Sequence, residues 1–263
     1  MSDVGATGSS RTSVMGILNA TPDSFSDGGR FATVEACVER ARAMAGEGAD
    51  LIDIGGESTR PGAEEVSVDE EIARTAPVIE RVASLGVPVS IDTRKATVAK
   101  AALDAGASMV NDVSGGTYDP AMLPLVADRG VPVVLMHMRG TPKTMDSLTQ
   151  YDDVVADVRT ELLERVNDAR QAGVREIFAD PGLGFAKTAG QSLELLRRID
   201  ELHELPLVVG PSRKRFLGGD LRDRLEPTLA AVAWCAMHGV EVVRVHDVLQ
   251  ARRVVDTIGA IGG

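Results

Sequence analysis

An alternation of short apolar segments with longer amphipathic ones runs along the whole chain and restricts its fold most strongly. Several of the short segments are continuous apolar runs, which is typical of strands buried on both faces of a parallel sheet. The predicted strands are eight in number: Val14–Asn19, Leu51–Gly55, Val87–Asp92, Ser108–Asp112, Pro132–His137, Glu176–Asp180, Leu207–Val209 and Glu241–His246.

Helical patterns separate these strands. One stripe lies on a single helical face and consists of Val34, Cys37, Val38, Ala41, Met44 and Ala45. A second consists of Val155, Val158, Leu162, Val166 and Ala169. Each pattern ends in a glycine turn before the next strand, as at Gly46 to Gly48 and at Gly173. This repetition predicts a single (β/α)8 TIM barrel, with the active site at the C-terminal ends of the strands, and a doubly wound open sheet is the alternative.

The length of 263 residues fits one such barrel, and no linker divides the chain. We expect residues 1–13 to form a flexible N-terminal tail and residues 14–263 to form the barrel domain. The tail lacks the apolar core of a signal peptide, and no segment reaches the roughly 20 apolar residues that span a bilayer. Cys37 and Cys235 lie in helical patterns without metal-ligand spacing, which favours buried thiols in a reducing compartment. A cytoplasmic protein is therefore expected.

The net charge of −11 and the pI near 4.9 argue against a nucleic-acid partner, because phosphate backbones bind to basic surfaces. One segment, by contrast, carries a local excess of positive charge. In GPSRKRF, from Gly210 to Phe216, three consecutive cations follow a predicted strand. The segment is either an anion site at a helix start or an ordinary solvated charge run.

Polar residues collect where the predicted strands end, which in a barrel is the edge that carries the active site. They are Asn19, Asp92, Asn111, Asp112, His137, Asp180, Arg244, His246 and Asp247. Each also has a structural interpretation. Asp92 could cap the following helix, Asn111 could close a turn, and His137 could be a hydrogen-bonded core histidine.

The same edge divides into two chemical groups. Asp92, Asn111 and Asp180 suit the donor edge of a flat heterocycle. Positive charge for a phosphate or diphosphate comes from Arg60, Lys214, Arg244 and His246. Asn19 offers an amide oxygen of the kind that Mg²⁺ accepts when its other ligands are substrate phosphates. No zinc motif and no Ser-His-Asp pattern is found.

The motifs GILNATPDSFSDGG, DIGGESTRPGA, SIDT, MVNDVSGG, LMHMRGTP, DPGLGFAKT, GPSRKRFLG and VRVHDV closely resemble those of the dihydropteroate synthase family, in that family's order. The resemblance covers about Val14 to Gly259. It implies a Mg²⁺-dependent enzyme of folate biosynthesis that condenses 6-hydroxymethyl-7,8-dihydropterin diphosphate with 4-aminobenzoate and releases pyrophosphate. The implied partners are these small molecules, sulfonamides as inhibitors and a second copy of the chain in a homodimer.

The resemblance also implies roles for individual residues. It assigns the pterin to Asp92, Asn111, Met138, Asp180 and Lys214. It assigns the diphosphate to Thr59, Arg244 and His246, and the metal to Asn19. It assigns the aminobenzoate to Phe25, Arg60, Pro61, Phe185, Lys214 and Arg215. Catalysis would involve Asp27, Asp180 and Lys214.

Arg215 departs from the commoner pattern in the family, in which serine follows the pocket lysine. Its side chain either contacts the aminobenzoate carboxylate or points to solvent. Two other functions are considered: a pterin-binding methyltransferase domain, which has no need of SRK and VRVH as an anion clamp, and a non-catalytic pterin-binding paralogue.

Overall fold

The computed structural model describes residues 11–21, 34–59 and 62–262. Within these residues the chain alternates strands and helices from end to end. The strands are β1 (Ser13–Asn19), β2 (Leu51–Gly55), β3 (Val89–Asp92), β4 (Met109–Asp112), β5 (Val133–Met136), β6 (Ile177–Asp180), β7 (Val208–Val209) and β8 (Val242–Val245). The helices are α1 (Val34–Gly46), α2 (Val68–Ala83), α3 (Ala96–Asp104), α4 (Met122–Arg129), α5 (Val154–Gln171), α6 (Ala189–Arg197), α7 (Leu225–Met237) and α8 (Val248–Gly262).

All strand pairs are parallel, in the order β6-β5-β4-β3-β2-β1-β8-β7. A parallel bridge between Ala179 and Leu207 joins β6 to the start of β7 and closes the sheet into a barrel. The predicted (β/α)8 barrel is thus confirmed and the open sheet is wrong. The predicted strands begin or end within two residues of the observed ones, as at Val87 against Val89.

Local sequence signals set several helix starts. Ser67 caps α2 by accepting a hydrogen bond from the Glu70 backbone N–H, 3.3 Å away. Thr188 and Gln191 form a reciprocal capping box at the start of α6. The two apolar stripes predicted for α1 and α5 are buried against the barrel, apart from the half-buried Val34 and Ala45. The helices therefore cover the outer face of the sheet with their apolar sides.

The barrel interior holds its own small core of Met15, Met109, Val134, Phe178, Val208 and Val242. Because side chains alternate along a strand, the residue two positions later points inward as well. In β4, β6 and β8 those residues are Asn111, Asp180 and Arg244. In these three strands the apolar floor of the barrel thus changes to a polar layer toward the carboxyl end.

Residues 11–13 are attached to the barrel. Ser13 opens β1, Thr12 is buried, and Arg11 lies 3.3 Å from both Asp50 and Asp256. Residues 1–10 of the predicted tail lie outside the described residues.

Cys37 and Cys235 are free and buried, as expected. In the described ranges, no helix combines the length and the apolar character that crossing a membrane requires.

Candidate active site

The polar layer is built around one arginine. The Arg244 Nε donates to Asp53 Oδ2 over 2.6 Å, and its Nη2 donates to Asp92 Oδ2 over 2.5 Å. Asn111 Nδ2 donates to the same Asp53 oxygen over 3.0 Å. Asp53 is fully buried, and its Oδ1 has no hydrogen-bond partner in the part of the chain that the structure describes. The four side chains come from β2, β3, β4 and β8 and form one network across the barrel.

This network decides two of the structural alternatives. The Asp92 carboxylate binds Arg244 and does not cap α3, whose first backbone N–H, that of Ala96, is bound by Asp119 Oδ2 over 2.8 Å. The Asn111 amide reaches across the barrel, and the adjacent turn is closed by Asp112, whose oxygens accept from the Ser114 and Gly116 backbone N–H groups.

A second group of charges lies beside the first. Asp180, at the end of β6, is buried, and its Oδ1 accepts from the Gly182 backbone N–H over 2.7 Å. Lys214 Nζ donates to the Leu183 carbonyl over 2.5 Å and lies 4.8 Å from the centre of the Phe185 ring. Lys214 thereby joins the segment after β7 to the segment after β6.

Burial shapes the electrostatics of these groups. Burial raises the pKa of Asp92 and of Asp180, and the cations Arg244 and Lys214 oppose that rise. Burial lowers the pKa of Lys214 to about 8, with Asp180 acting in the opposite direction. For Arg244, burial alone would lower the pKa, but Asp53 and Asp92 outweigh it and raise the pKa. Each carboxylate and each cation in the barrel mouth thus stabilises the charged form of the other.

An apolar surface lies next to the charged groups. Met138 is buried in a cluster with Val113, Met136, Met145 and Ala186, and the half-buried Phe185 packs against this cluster. Flat rings pack well on such methionine and aromatic surfaces. The mouth of the barrel therefore offers polar groups for the edge of a ring and an apolar surface for its face.

The three consecutive cations of GPSRKRF have three different environments. Arg213 forms a two-bond ion pair with Asp247, over 2.9 and 2.5 Å. Lys214 points into the site, as described above. The Arg215 side chain is 70% exposed, with Asp146 4.0 Å away. The segment is therefore neither a uniform anion patch nor an ordinary solvated charge run.

Three residues predicted to hold diphosphate or metal lie around the same mouth. Asn19 ends β1 and His246 directly follows β8, and these two strands are paired. Thr59 is half-buried in the segment after β2. Ser212 Oγ accepts from the His246 backbone N–H over 3.1 Å and lies 2.9 Å from His246 Nδ1. Either group can be the donor in the contact between Ser212 Oγ and His246 Nδ1, and when the hydroxyl donates, the ring proton of His246 is on Nε2.

The segment that carries Thr59 is anchored by a buried ion cluster. Glu57 accepts from Arg94 Nη2 over 3.0 Å and from Lys95 Nζ. Lys95 also binds Glu71 Oε2 over 2.8 Å. The segment after β2 is thereby fixed to the start of α3 and to the first turn of α2.

Comparisons with known proteins agree with this geometry. Residues 15–246 match the family of pterin binding enzymes. The chain is 50% identical to the dihydropteroate synthase of Synechocystis sp. over 90% of its own length and 86% of that protein. A structure of Xanthomonas albilineans dihydropteroate synthase with 4-aminobenzoic acid superposes with a TM-score of 0.90 at 45% identity, covering 96% of this chain and 94% of that one. A Yersinia pestis dihydropteroate synthase in complex with a sulfonamide drug gives 0.92 at 40% identity, covering 100% and 98%.

The chain belongs to the dihydropteroate synthase family. This membership agrees with the resemblance of its sequence motifs. The structure brings most of the residues assigned to that family's site together at one end of the barrel, and the assigned residues Phe25, Asp27, Arg60 and Pro61 lie outside the described residues.

Two features are not among the predicted site residues. Asp53 lies at the centre of β2, two residues before the strand end; its signal is a lone carboxylate in the apolar run LIDIG at an inward-pointing position. The second is a buried Lys187 beneath the site, which contacts His137. His137 itself is fully buried and hydrogen-bonded at both ring nitrogens, so its interpretation as a core histidine is confirmed.

Proposed function

We propose that this chain catalyses the condensation of 6-hydroxymethyl-7,8-dihydropterin diphosphate with 4-aminobenzoate to 7,8-dihydropteroate and pyrophosphate, in folate biosynthesis. The observation that carries the proposal is the joint presence of Asp92, Asn111, Asp180 and Lys214 at one barrel mouth, beside an apolar surface. Donors and acceptors in this arrangement match the edge of a pterin ring. The similarity to dihydropteroate synthases over nearly the whole chain supports the same reaction.

The pterin ring lies in the mouth of the barrel. Asp180 accepts from ring N–H groups, because its buried carboxylate is already oriented by Gly182. Asn111 offers its amide oxygen, since its amide nitrogen is held by Asp53. Lys214 donates to the ring carbonyl or a ring nitrogen, and Met138 packs on the ring face. Preformed contacts of this kind orient the CH₂ group of the substrate for attack.

The diphosphate lies toward β1, β2 and β8. Arg244 uses one N–H on Asp53 and another on Asp92, so further N–H donors of the guanidinium remain for diphosphate oxygens. His246 donates from its ring, and Thr59 donates from its hydroxyl. These groups stabilise the charge that grows on the leaving diphosphate as the C–O bond breaks.

Magnesium is proposed as the cofactor, with Asn19 as its protein ligand. In the described ranges there is no cluster of three or more His, Cys, Asp or Glu side chains that could hold a metal ion by themselves. A single amide oxygen at the strand end is the kind of donor set in which Mg²⁺ takes its remaining ligands from diphosphate and water, so the residues fit. When bound, the ion neutralises diphosphate charge and makes pyrophosphate a better leaving group.

The reaction forms a C–N bond and breaks a C–O bond. The electron pair of the C–O bond leaves with pyrophosphate, and the positive charge on the CH₂ group is delocalised into the pterin. Asp180 and, by resemblance, Asp27 stabilise this charge. The amine of 4-aminobenzoate donates its lone pair to the CH₂ carbon and then loses a proton to solvent. Because an aromatic amine needs no strong base, the chemistry depends on positioning and electrostatics.

The aminobenzoate pocket lies on the Phe185 and Lys214 side of the mouth, with Phe25, Arg60 and Pro61 assigned to it by resemblance. The aromatic ring packs on Phe185. Arg215 adds positive charge at the outer edge. Sulfonamides, which share the aromatic amine of 4-aminobenzoate, are expected to compete for this pocket, and one related enzyme has been solved with such a drug.

A matched pair of variants tests the pterin site. Asp180→Asn removes a buried carboxylate that contacts the ring, and we expect kcat/KM for dihydropterin diphosphate to fall by about two orders of magnitude or more. Asp200→Asn changes an exposed carboxylate on the outside of the barrel and serves as the control. Equal activity of the two variants would contradict the proposed site.

A homodimer through α7 and α8 is also proposed. These adjacent helices carry the exposed apolar residues Trp234, Met237, Leu249 and Ile261. Exposed apolar groups on adjacent helices favour a protein interface. Sedimentation velocity at micromolar concentration tests this, and a species of monomer mass alone would contradict it.

The free thiols of Cys37 and Cys235 support a reducing, cytoplasmic location.

A further inference from the structure

Beneath the apolar surface of the site lies a buried lysine whose contacts are with backbone carbonyls and one histidine ring. Lys187 is 8% exposed. Its Nζ lies 2.8 Å from His137 Nδ1, 2.9 Å from the Phe185 carbonyl, 3.2 Å from the Gly182 carbonyl and 3.4 Å from the His137 carbonyl. All four neighbours can accept hydrogen bonds, and three of them are backbone carbonyls.

The contacts of Glu161 indicate which nitrogen of the neighbouring His137 ring carries a proton. Glu161 accepts from Arg139 Nε over 3.0 Å and lies 3.0 Å from His137 Nε2. The hydrogen bond to His137 is the main cause that lowers the pKa of Glu161 to about 2, so Glu161 is a carboxylate. It requires a proton on His137 Nε2. Burial lowers the pKa of His137 to about 4, so the ring is neutral and Nδ1 is an acceptor.

Lys187 therefore faces acceptors only, and an ammonium group matches them. A neutral amine would point its own lone pair at a carbonyl oxygen or at Nδ1. Burial lowers the pKa of Lys187 well below its ordinary value, and the carboxylates Asp180 and Glu161 oppose that effect. The four contacts account for a cation retained in this position. A chain of hydrogen bonds then runs from the core to a partly exposed carboxylate, through Lys187, His137 and Glu161.

The carbonyls that Lys187 binds belong to the two segments that carry pterin-contacting residues. Gly182 and Phe185 lie in the segment after β6, in which Gly182 N–H holds Asp180. The His137 carbonyl directly precedes Met138. Arg165, on α5, donates to the Met136 and Met138 carbonyls over 2.6 and 2.8 Å. It thereby fixes the segment after β5 from the helix side.

The segment after β6 does not hold its shape through regular secondary structure. Gly182 and Gly184 have φ values of 65° and 77°, and Ala186 has a φ of 48°, which is strained for a residue with a side chain. A Cβ atom on Gly182 would lie 2.0 Å from the His137 carbonyl oxygen, so the two segments touch here. Such a segment keeps one conformation only if other groups hold its carbonyls.

We propose that Lys187 is a positioning residue for the pterin ring: its ammonium ties the segment after β6 to the end of β5 and sets the separation of Phe185 and Asp180 from Met138. This inference rests on the proposed function. It differs from a general structural role, because the proposed diphosphate-binding residues Arg244, His246 and Thr59 lie in or just after β2 and β8, away from the contacts of Lys187.

Two ligands separate these roles in a calorimetric titration. Lys187→Met keeps most of the side-chain volume and removes the cation. We expect the Kd for pteroic acid to rise about tenfold, because buried carbonyls left without a donor shift toward other partners. The Kd for pyrophosphate in the presence of Mg²⁺ should stay unchanged. Lys187→Arg, which retains a cation, should recover part of the pteroic acid affinity. Lys100→Met, an exposed lysine on α3, is the control.

A parallel loss of affinity for both ligands would show a general structural role and overturn the inference, as would unchanged pteroic acid affinity. If Lys187→Met does not fold, Glu161→Gln provides the second test, since it removes the charge that orients His137 from a partly exposed position. We expect about a threefold weaker pteroic acid affinity with unchanged pyrophosphate affinity, and no change would overturn the inference. If the wild-type chain binds pteroic acid and Lys187→Met binds it with the same affinity, only this inference is contradicted. A wild-type chain that binds no pteroic acid contradicts the proposed function.

Discussion

Replacing Asp53 with asparagine tests how the polar layer of the barrel is held together. Asp53 Oδ2 accepts from Arg244 over 2.6 Å and from Asn111 over 3.0 Å, whereas the buried Oδ1 has no partner among the described residues. An asparagine must direct its oxygen toward the two donors. Its NH₂ group then occupies the position of Oδ1, an atom with no hydrogen-bond partner among the described residues. The opposite orientation would place NH₂ against two donors, which is worse.

The expected cost follows from these contacts. The ion pair with Arg244 becomes a hydrogen bond from the guanidinium to a neutral amide oxygen, which costs about 1 kcal/mol. The buried NH₂ group without an acceptor adds about 2 kcal/mol. Asp53→Asn should therefore lower the free energy of unfolding by about 3 kcal/mol.

Urea unfolding measures this change as a lower midpoint with an unchanged m value. Asp128→Asn, at an exposed position of α4, is the control and should change the free energy of unfolding by less than about 0.5 kcal/mol. A loss below about 1 kcal/mol for Asp53→Asn would refute the reasoning, because the NH₂ group would then have an acceptor such as a buried water.

Two further predictions concern the cations of the segment after β7. Burial lowers the pKa of Lys214 to about 8, so the ammonium is lost as the pH rises through that value; kcat/KM for dihydropterin diphosphate should fall above about pH 8. In Lys214→Arg that decline should move to higher pH, and an identical profile in both proteins would contradict the assignment. Arg215 is 70% exposed, so Arg215→Ser should raise KM for 4-aminobenzoate less than about threefold, with a smaller effect at high salt. A change of about tenfold or more in initial-rate assays would instead indicate direct binding of the carboxylate.

Much of the fold follows from the sequence because the barrel repeats one unit. Continuous apolar strands, amphipathic helices and glycine turns recur along the chain, and a single architecture buries all of them. Where the strand boundaries differ from the predicted ones, they differ by one or two residues, because pairing with neighbouring strands determines where a ladder stops. Closure through Ala179 and Leu207 depends on long-range geometry that no local pattern contains.

The site residues at the strand ends can be predicted for a geometric reason, since all parallel strands deliver their last residues to the same edge. Asp53 is not predicted as a site residue because it lies inside a strand, one inward-pointing position before the strand end. Lys187 is not predicted because its environment is made by the carbonyls of two separate segments. A lysine near a strand end has no sequence signal that distinguishes a buried clamp from an exposed charge.

The most direct test of the account measures pyrophosphate release from dihydropterin diphosphate by the purified chain in the presence of Mg²⁺, with and without 4-aminobenzoate. We predict that 4-aminobenzoate is required for sustained release, and that each pyrophosphate is matched by one 7,8-dihydropteroate. Binding of the pterin without release would indicate a non-catalytic protein. A requirement for a corrinoid acceptor, or release without dihydropteroate formation, would contradict the account.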